Sequence, residues 1–242
     1  HEILEMTNDD MSMAASEILE YLDEPIADAA LLPLYFLSKH VSSKYKVALG
    51  GDGGDEVFGG YIKYKAQQTI EHLGYLRHLF GLARHMGWLS DGYRRLAVGM
   101  AKSLPRRQFI FGSGGFLPSE LSNLLGWENI DRDALYAEFE KKLQTIEQLD
   151  PINKSMFLDC SYQLPDWYLV KSDRATMANG IELRSPLLDK ELAEMMFQLP
   201  GKMKIAHGEQ KYLLKKIAER YLPRDILYRQ KLGFSVDFMS WT

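Results

Sequence analysis

The chain has 242 residues, of which 46% are hydrophobic, and a net charge of −4; this suits one large globular domain or two small ones. So small a charge argues against a nucleic-acid or membrane partner, and no run of about 18 apolar residues predicts a transmembrane helix. The lone Cys160 excludes an intrachain disulfide and a cysteine-based zinc site, and it fits a reducing, cytoplasmic setting. The chain begins at His1 without an initiator methionine or a signal segment, and therefore reads as a piece of something longer.

In chain order, His1–Met6 is expected to be an edge strand. Asp10 caps a predicted helix through Leu22, with Met11, Ala14, Ala15, Ile18 and Leu19 at helical spacing. Asp23–Glu24–Pro25 stops it, and Asp28 caps a second helix carrying Leu34, Leu37 and Val41 on one face. Lys46–Leu49 is a short buried strand. This strand–helix–helix–strand order predicts a parallel sheet with few strands, all in the first fifth of the chain. Helix is expected from Tyr61 through about Arg107, over Asp131–Ile146, from Pro151 through about Leu164, and over Asp166–Ala178 up to a left-handed cap at Gly180. Two more are expected: Lys190–Gln198, capped by Asp189, and Glu209–Tyr221, ended by Pro223. The tail from Tyr228 to Trp241 reads as a loop.

The tract Val47–Tyr61, VALGGDGGDEVFGGY, carries the strongest chemical signal. Gly50, Gly51, Gly53 and Gly54 let the backbone turn sharply and approach a ligand closely. Asp52, Asp55 and Glu56 crowd charge there: two bare carboxylates about 4 Å apart repel by roughly 4 kcal/mol at an effective dielectric near 20. A cation, a cluster of donors or a shared proton would relieve that. No GK[ST] follows, so this is not a Walker A loop, and the spacing is wrong for an EF-hand. A plain helix N-terminus would explain Asp55 and Glu56. It leaves Asp52 and the flanking glycines unexplained.

Two further tracts stand out. In Lys171–Arg184, Asp173 and Arg174 sit on a helix, while alternation turns Glu182 and Arg184 to one side of an extended segment. As an exposed ion pair, Asp173 and Arg174 would contribute about 0–1 kcal/mol. Between Lys202 and Lys231, nine cations face only Glu209, Glu219 and Asp225. Most suit a solvated helix face. Lys211 at a helix start opposes the macrodipole unless an anion such as phosphate lies near, and Lys231 stands beside Gly233. The six histidines show no metal spacing, and Cys160 fits a core position.

Taken together, these tracts resemble the synthetase domain of the glutamine-hydrolysing asparagine synthetases. Asp23–Asp28 is similar to that family's DEP-x-AD segment, and Gly50–Tyr61 to its SGEGSDExFGGY loop. Lys171–Ala178 and Glu182–Asp189 are similar to K-x-DR-x-SMA and E-x-R-x-PFLD. Glu209–Leu214 and Gln230–Phe234 resemble the lysine helix and the K-x-GF loop. The matches keep family order and are weakest between about Leu73 and Leu149.

The resemblance implies an α/β chain of the PP-loop ATP pyrophosphatase type: a mostly helical fragment with a small parallel sheet remnant. Residues 1–242 would form part of a synthetase domain, with an α/β portion over about 1–72 and a helical portion over about 73–242. It implies ATP and Mg²⁺ as cofactors, an aspartate-like carboxylate as substrate, ammonia from a glutaminase domain, and room for a homodimer. By match to the family's motifs, Asp55 is the metal ligand, and Asp52 handles the ammonia proton. Lys211, then Lys231, meets the transferred phosphate. Gly51, Gly53 and Gly54 line the pyrophosphate, and Asp173, Arg174, Glu182 and Arg184 shape the substrate side. Asp52 is one methylene shorter than the family's Glu, and the SGGxDS nucleotide motif is absent from the chain. The chain by itself is therefore expected to be inactive. Two other readings stay open: an amidotransferase acting on a different carboxylate in polysaccharide or natural-product synthesis, and a non-catalytic helical binding or scaffold protein.

Overall fold

A computed structural model describes residues 2–112, 118–126 and 134–230. The loop residues 113–115, the start of the helix expected from Asp131, and the tail with Lys231 and Gly233 lie outside the described residues.

The first helix, α1 (Asn8–Ile18), is capped by Thr7 and not by Asp10. Thr7 Oγ1 accepts from the Asp10 N–H at 3.2 Å, and Asp10 Oδ2 accepts from the Thr7 N–H at 2.9 Å. This is a capping box with Asp in the third position. The helix tightens into a 3₁₀ turn at Leu19–Tyr21 and stops short of Leu22. The expected strand at His1–Met6 does not form over residues 2–6. Ile3 there is 77% exposed, and among the described residues the one sheet pairs other segments. Asp28 closes the turn into α2 (Leu31–Val41) without occupying the cap position, which is Ala30. Its Oδ1 accepts from the Ala30 N–H at 2.9 Å.

The sheet is small and parallel, as expected, but its second strand comes from elsewhere. β1 (Val47–Leu49) pairs with β2 (Glu182–Arg184), with Val47 opposite Glu182 and Leu49 opposite Arg184. Strands are thus not confined to the first fifth. Gly50 N–H donates to the Arg184 carbonyl, and Glu182 N–H to the Lys46 carbonyl, each at 2.8 Å.

The rest is helical. α3 (Gly54–Phe58) and α4 (Ile62–Leu73) follow the glycine turn. The long helix expected to Arg107 breaks at Gly74 (φ +51) into 3₁₀ turns over Gly74–His85. It resumes as α5 (Asp91–Met100) and α6 (Leu104–Gly112). α7 (Pro118–Leu125), α8 (Ala134–Gln144) and α9 (Pro151–Leu158) come next. The two helices expected on either side of Leu164 are joined by a π-helical stretch, Asp159–Leu169, which contains Pro165 and runs into α10 (Val170–Met177). Proline has no N–H for the α ladder, and a π segment is one way a helix accommodates a missing bond. Past β2 lie α11 (Lys190–Gln198), α12 (Gly201–Lys204), α13 (Tyr212–Ala218) and α14 (Arg224–Leu227). The helix expected from Glu209 begins only at Tyr212.

The chain forms two compact units, each from separate segments: His1–Gly53, Leu164–Asp189 and Ala218–Thr242 in the first, Gly54–Gln163 and Lys190–Ile217 in the second. The first has a core of Ala14, Ile18, Leu31, Leu32, Tyr35 and Ala175. Its buried Ser38 is matched: Oγ donates to the Ala175 carbonyl at 2.8 Å and accepts from Asn179 Nδ2 at 2.9 Å. The second has one core around Tyr64, Ile152, Met156 and Ile205, and another around Ala66, Ile70 and Met100. No described helix is long and apolar enough to cross a membrane.

Candidate functional site

The boundary between the units falls between Gly53 and Gly54. In the first unit, β1 leads into Gly50, Gly51, Asp52 and Gly53. Gly53 has φ +81, and a Cβ there would come within 2.0 Å of Leu188 Cδ2; handedness and space both demand glycine. A Cβ on Gly51 would meet nothing within 4 Å, so the backbone there is open. Asp52 is half-buried. On β2, Glu182 and Arg184 are exposed and flank the more covered Leu183. Arg184 Nε donates to Glu182 Oε1 at 3.0 Å, so the expected shared face is present.

Asp173 and Arg174 do not act as a pair. Asp173 is exposed, whereas Arg174 donates to Asp23 of the DEP segment. Three residues earlier, Lys171 Nζ donates to Asp28 Oδ2 at 2.7 Å. Burial alone would push the Asp28 carboxyl up. The Lys171 ammonium and the Ala30 N–H outweigh it and hold the group below its usual range. Lys171 and Asp28 thus tie α10 to the entrance of α2, a connection that neither motif discloses alone.

In the second unit, Gly54 opens α3 and Asp55 follows. Lys211, far away in sequence, places its Nζ 2.9 Å from Asp55 Oδ1. The pair closes over bare backbone: a Cβ on Gly60 would lie 1.8 Å from Asp55 Oδ1 and 2.3 Å from Lys211 Cε. Gly60 N–H donates to the Asp55 carbonyl at 2.8 Å, and Gln210 Nε2 donates to the Gly60 carbonyl at 2.7 Å. Lys211 itself is left-handed, φ +54, which costs about 1–2 kcal/mol in a non-glycine residue. The turn before it holds that conformation. Ala206 and Glu209 exchange two backbone hydrogen bonds, and Lys65 Nζ donates to the Gly208 carbonyl at 3.0 Å.

Behind Asp55 lies a buried polar group that sequence reading missed. Tyr61 OH donates to Glu56 Oε1 at 2.5 Å, and burial pushes the Glu56 carboxyl above its ordinary range. Asp159 is fully buried; it accepts from Lys63 Nζ at 2.7 Å and from Tyr64 OH and Gln108 Nε2. α4 buries Lys63, Tyr64, Ala66, Gln67 and Ile70, so polar residues share its core face and apolar periodicity could not mark them. Cys160, half-buried in the π stretch, is inert by the same logic, since burial pushes its thiol up to about 12.

The donor set suits a hard cation shared with phosphate. Asp55 offers carboxylate oxygen, and among the described residues no group of three or more His, Cys, Asp or Glu gathers as a metal cage. Mg²⁺ is commonly held by one or two carboxylates plus substrate phosphates, and an adjacent ammonium such as Lys211 matches those phosphates. Lys231 lies outside the described residues.

Comparison with known proteins agrees with the motifs. The family model described as asparagine synthase matches residues 1–242. The chain is 35% identical, over 96% of its length, to a Mycobacterium tuberculosis (H37Rv) protein named "Putative asparagine synthetase, glutamine-hydrolyzing". It is 31% identical, over 93% of its length, to asparagine synthetase 1 (glutamine-hydrolyzing) of Bacillus subtilis. A shorter match, 40% over 70 residues, covers 28% of the chain and 12% of the asparagine synthetase of Gallus gallus. The chain spans 36% of the length of the mycobacterial and Bacillus relatives.

Proposed function

Because the chain belongs to the asparagine synthase family, we propose that residues 1–242 are part of the synthetase domain of an ATP-dependent carbon–nitrogen ligase with the PP-loop pyrophosphatase type of fold. In this reading a carboxylate oxygen of an aspartate-like substrate attacks the α-phosphorus of ATP, and pyrophosphate leaves. Ammonia released from glutamine then attacks the acyl carbon, loses a proton and displaces AMP. A cytoplasmic setting, suggested by the single cysteine, and self-association as a homodimer belong to the same proposal.

One observation carries it: the Asp55–Lys211 pair, closed over Gly60 at 2.9 Å. Pyrophosphate departure builds negative charge that a preplaced ammonium stabilises, and Lys211 is held ready by a left-handed turn. Asp55 would hold Mg²⁺, which when bound neutralises polyphosphate charge. Gly51, Gly53 and Gly54 would let the backbone approach the phosphates. Asp52 would accept the ammonia proton, Lys231 would second Lys211, and Asp173, Arg174, Glu182 and Arg184 would border the carboxylate substrate.

The complete gene product, given ATP, Mg²⁺, ammonia and aspartate, is expected to yield asparagine, AMP and pyrophosphate. Lys211→Met should lower kcat by about 10²–10³. No amide from aspartate or from any acid in a panel would refute the ligase reading. The chain alone should exchange pyrophosphate far more slowly than the complete gene product. A second reading rests on Asp52, whose side chain is one methylene shorter than the family's Glu. A displacement near 1 Å can cost about 10²-fold, so an enzyme built around Asp52 would suit a different carboxylate, and preference for another acid in the panel would favour it.

A further inference from the structure

Lys204 is fully buried, yet its hydrogen-bond acceptor is an amide: Nζ donates to Asn153 Oδ1 at 2.5 Å. Its Nζ also lies 4.9 Å from the centre of the Phe197 ring. A buried ammonium without a bonded carboxylate is costly, and a well-packed apolar side chain would serve stability better. Burial accordingly pushes its pKa down to about 8. A costly charge at such a place calls for a role other than stability.

The surrounding contacts indicate that role. Asn153 Nδ2 donates to Asp150 Oδ2 at 2.9 Å and to the Leu199 carbonyl at 2.8 Å. Asp150 caps α9 through the Ile152 and Asn153 N–H groups and accepts from the Gly201 N–H at 2.8 Å. α12 is pressed onto α9 so closely that a Cβ on Gly201 would lie 2.5 Å from Ile152 Cβ. The same segment also meets Gly59, four residues after Asp55: a Cβ on Gly59 would sit 3.1 Å from Ile205 Cγ1 and 3.3 Å from Lys204 Cβ. The turn that begins at Ile205 ends on Lys211.

Resting on the role proposed for Lys211, we propose that Lys204 is a positioning residue. Its ammonium, knotted to Asn153 and the Asp150 cap, fixes the origin of the turn that carries Lys211 to Asp55. It touches no reacting atom and acts only through Lys211.

A double-mutant cycle in the complete gene product tests this. Lys204→Met is expected to lower kcat for ATP- and ammonia-dependent amide formation about tenfold while KM for ATP stays within twofold. In a Lys211→Met background the same substitution should change kcat less than twofold, because the group it positions is gone. Lys204→Gln, which keeps a neutral donor, serves the same cycle if Lys204→Met does not fold. Equal losses in both backgrounds, or no loss in the first, overturn the inference and leave the ligase reading intact. A wild-type kcat in Lys211→Met removes the role of Lys211 and this inference with it. Failure of every acid to give amide refutes the ligase reading itself.

Discussion

Gly60 concentrates the steric demands of the second unit into one missing methyl group. Gly60→Ala would drive a Cβ into Asp55 and Lys211 together, so the pair must open. We expect it to cost the amide formation proposed for the complete gene product at least tenfold while the thermal midpoint moves little, since the collision falls on flexible ends; steady-state kinetics beside a melting curve checks this. Lys204 gives a prediction with a sign. A lysine in an unfolded chain keeps its proton to about pH 10.4, whereas here the group is held near 8. Between those values the unfolded chain binds the extra proton, so native stability rises with pH through the window. Denaturant melts at several pH values should show wild type gaining on Lys204→Met from pH 8 to 10.4; a constant gap would count against this burial. Asp55 and Lys211 were legible as separate residues in the sequence, through glycine density and an awkward cation. Lys204 was hidden in a basic run, since two residues away Lys202 is exposed and composition treats both alike.

At the scale of elements, local rules worked where the partner was local. The cap of α1 is local too, yet it falls on Thr7 and not on the expected Asp10, because the hydroxyl reaches the Asp10 N–H and the carboxylate reaches back. Thr7→Ala should cost about 1 kcal/mol, read by denaturant unfolding. The left-handed cap at Gly180, φ +67, formed as expected. Pairing was where local rules failed. A strand has no internal hydrogen-bond partner, so β1 needed a distant segment, and β2 supplied it from between α10 and α11. The strand expected at His1–Met6 found no such partner, and residues 2–6 stayed irregular. Pro165 falls between the helix expected through about Leu164 and the one expected from Asp166. The chain widened to a π segment there, which absorbs the missing donor.

At the scale of the whole molecule, the two units have separate cores and separate buried polar anchors. In the first, Lys171 and Asp28 bond at 2.7 Å with both side chains largely covered; Lys171→Met should cost about 2 kcal/mol, the worth of a charged hydrogen bond. In the second, Asp159→Asn leaves the Lys63 ammonium without its carboxylate at a site with no exposure, and should cost about 3–5 kcal/mol. The double variant is expected to lose the sum within about 0.5 kcal/mol, measured by urea unfolding. A large shortfall would mean that the anchors share one cooperative core.

Sequence alone determined what depends on residue type and near neighbours: mostly helical character, the glycine–carboxylate turn, family membership through ordered motifs, and the chemical class of the candidate residues. Tertiary structure decided which of those residues meet. It set Lys211 against Asp55, turned Arg174 to Asp23, and buried Lys63 and Lys204. The reason is physical. Helix and turn preferences act over a few residues, whereas an ion pair or a buried amide is chosen by whatever the fold brings within about 3 Å, and no local pattern records that choice.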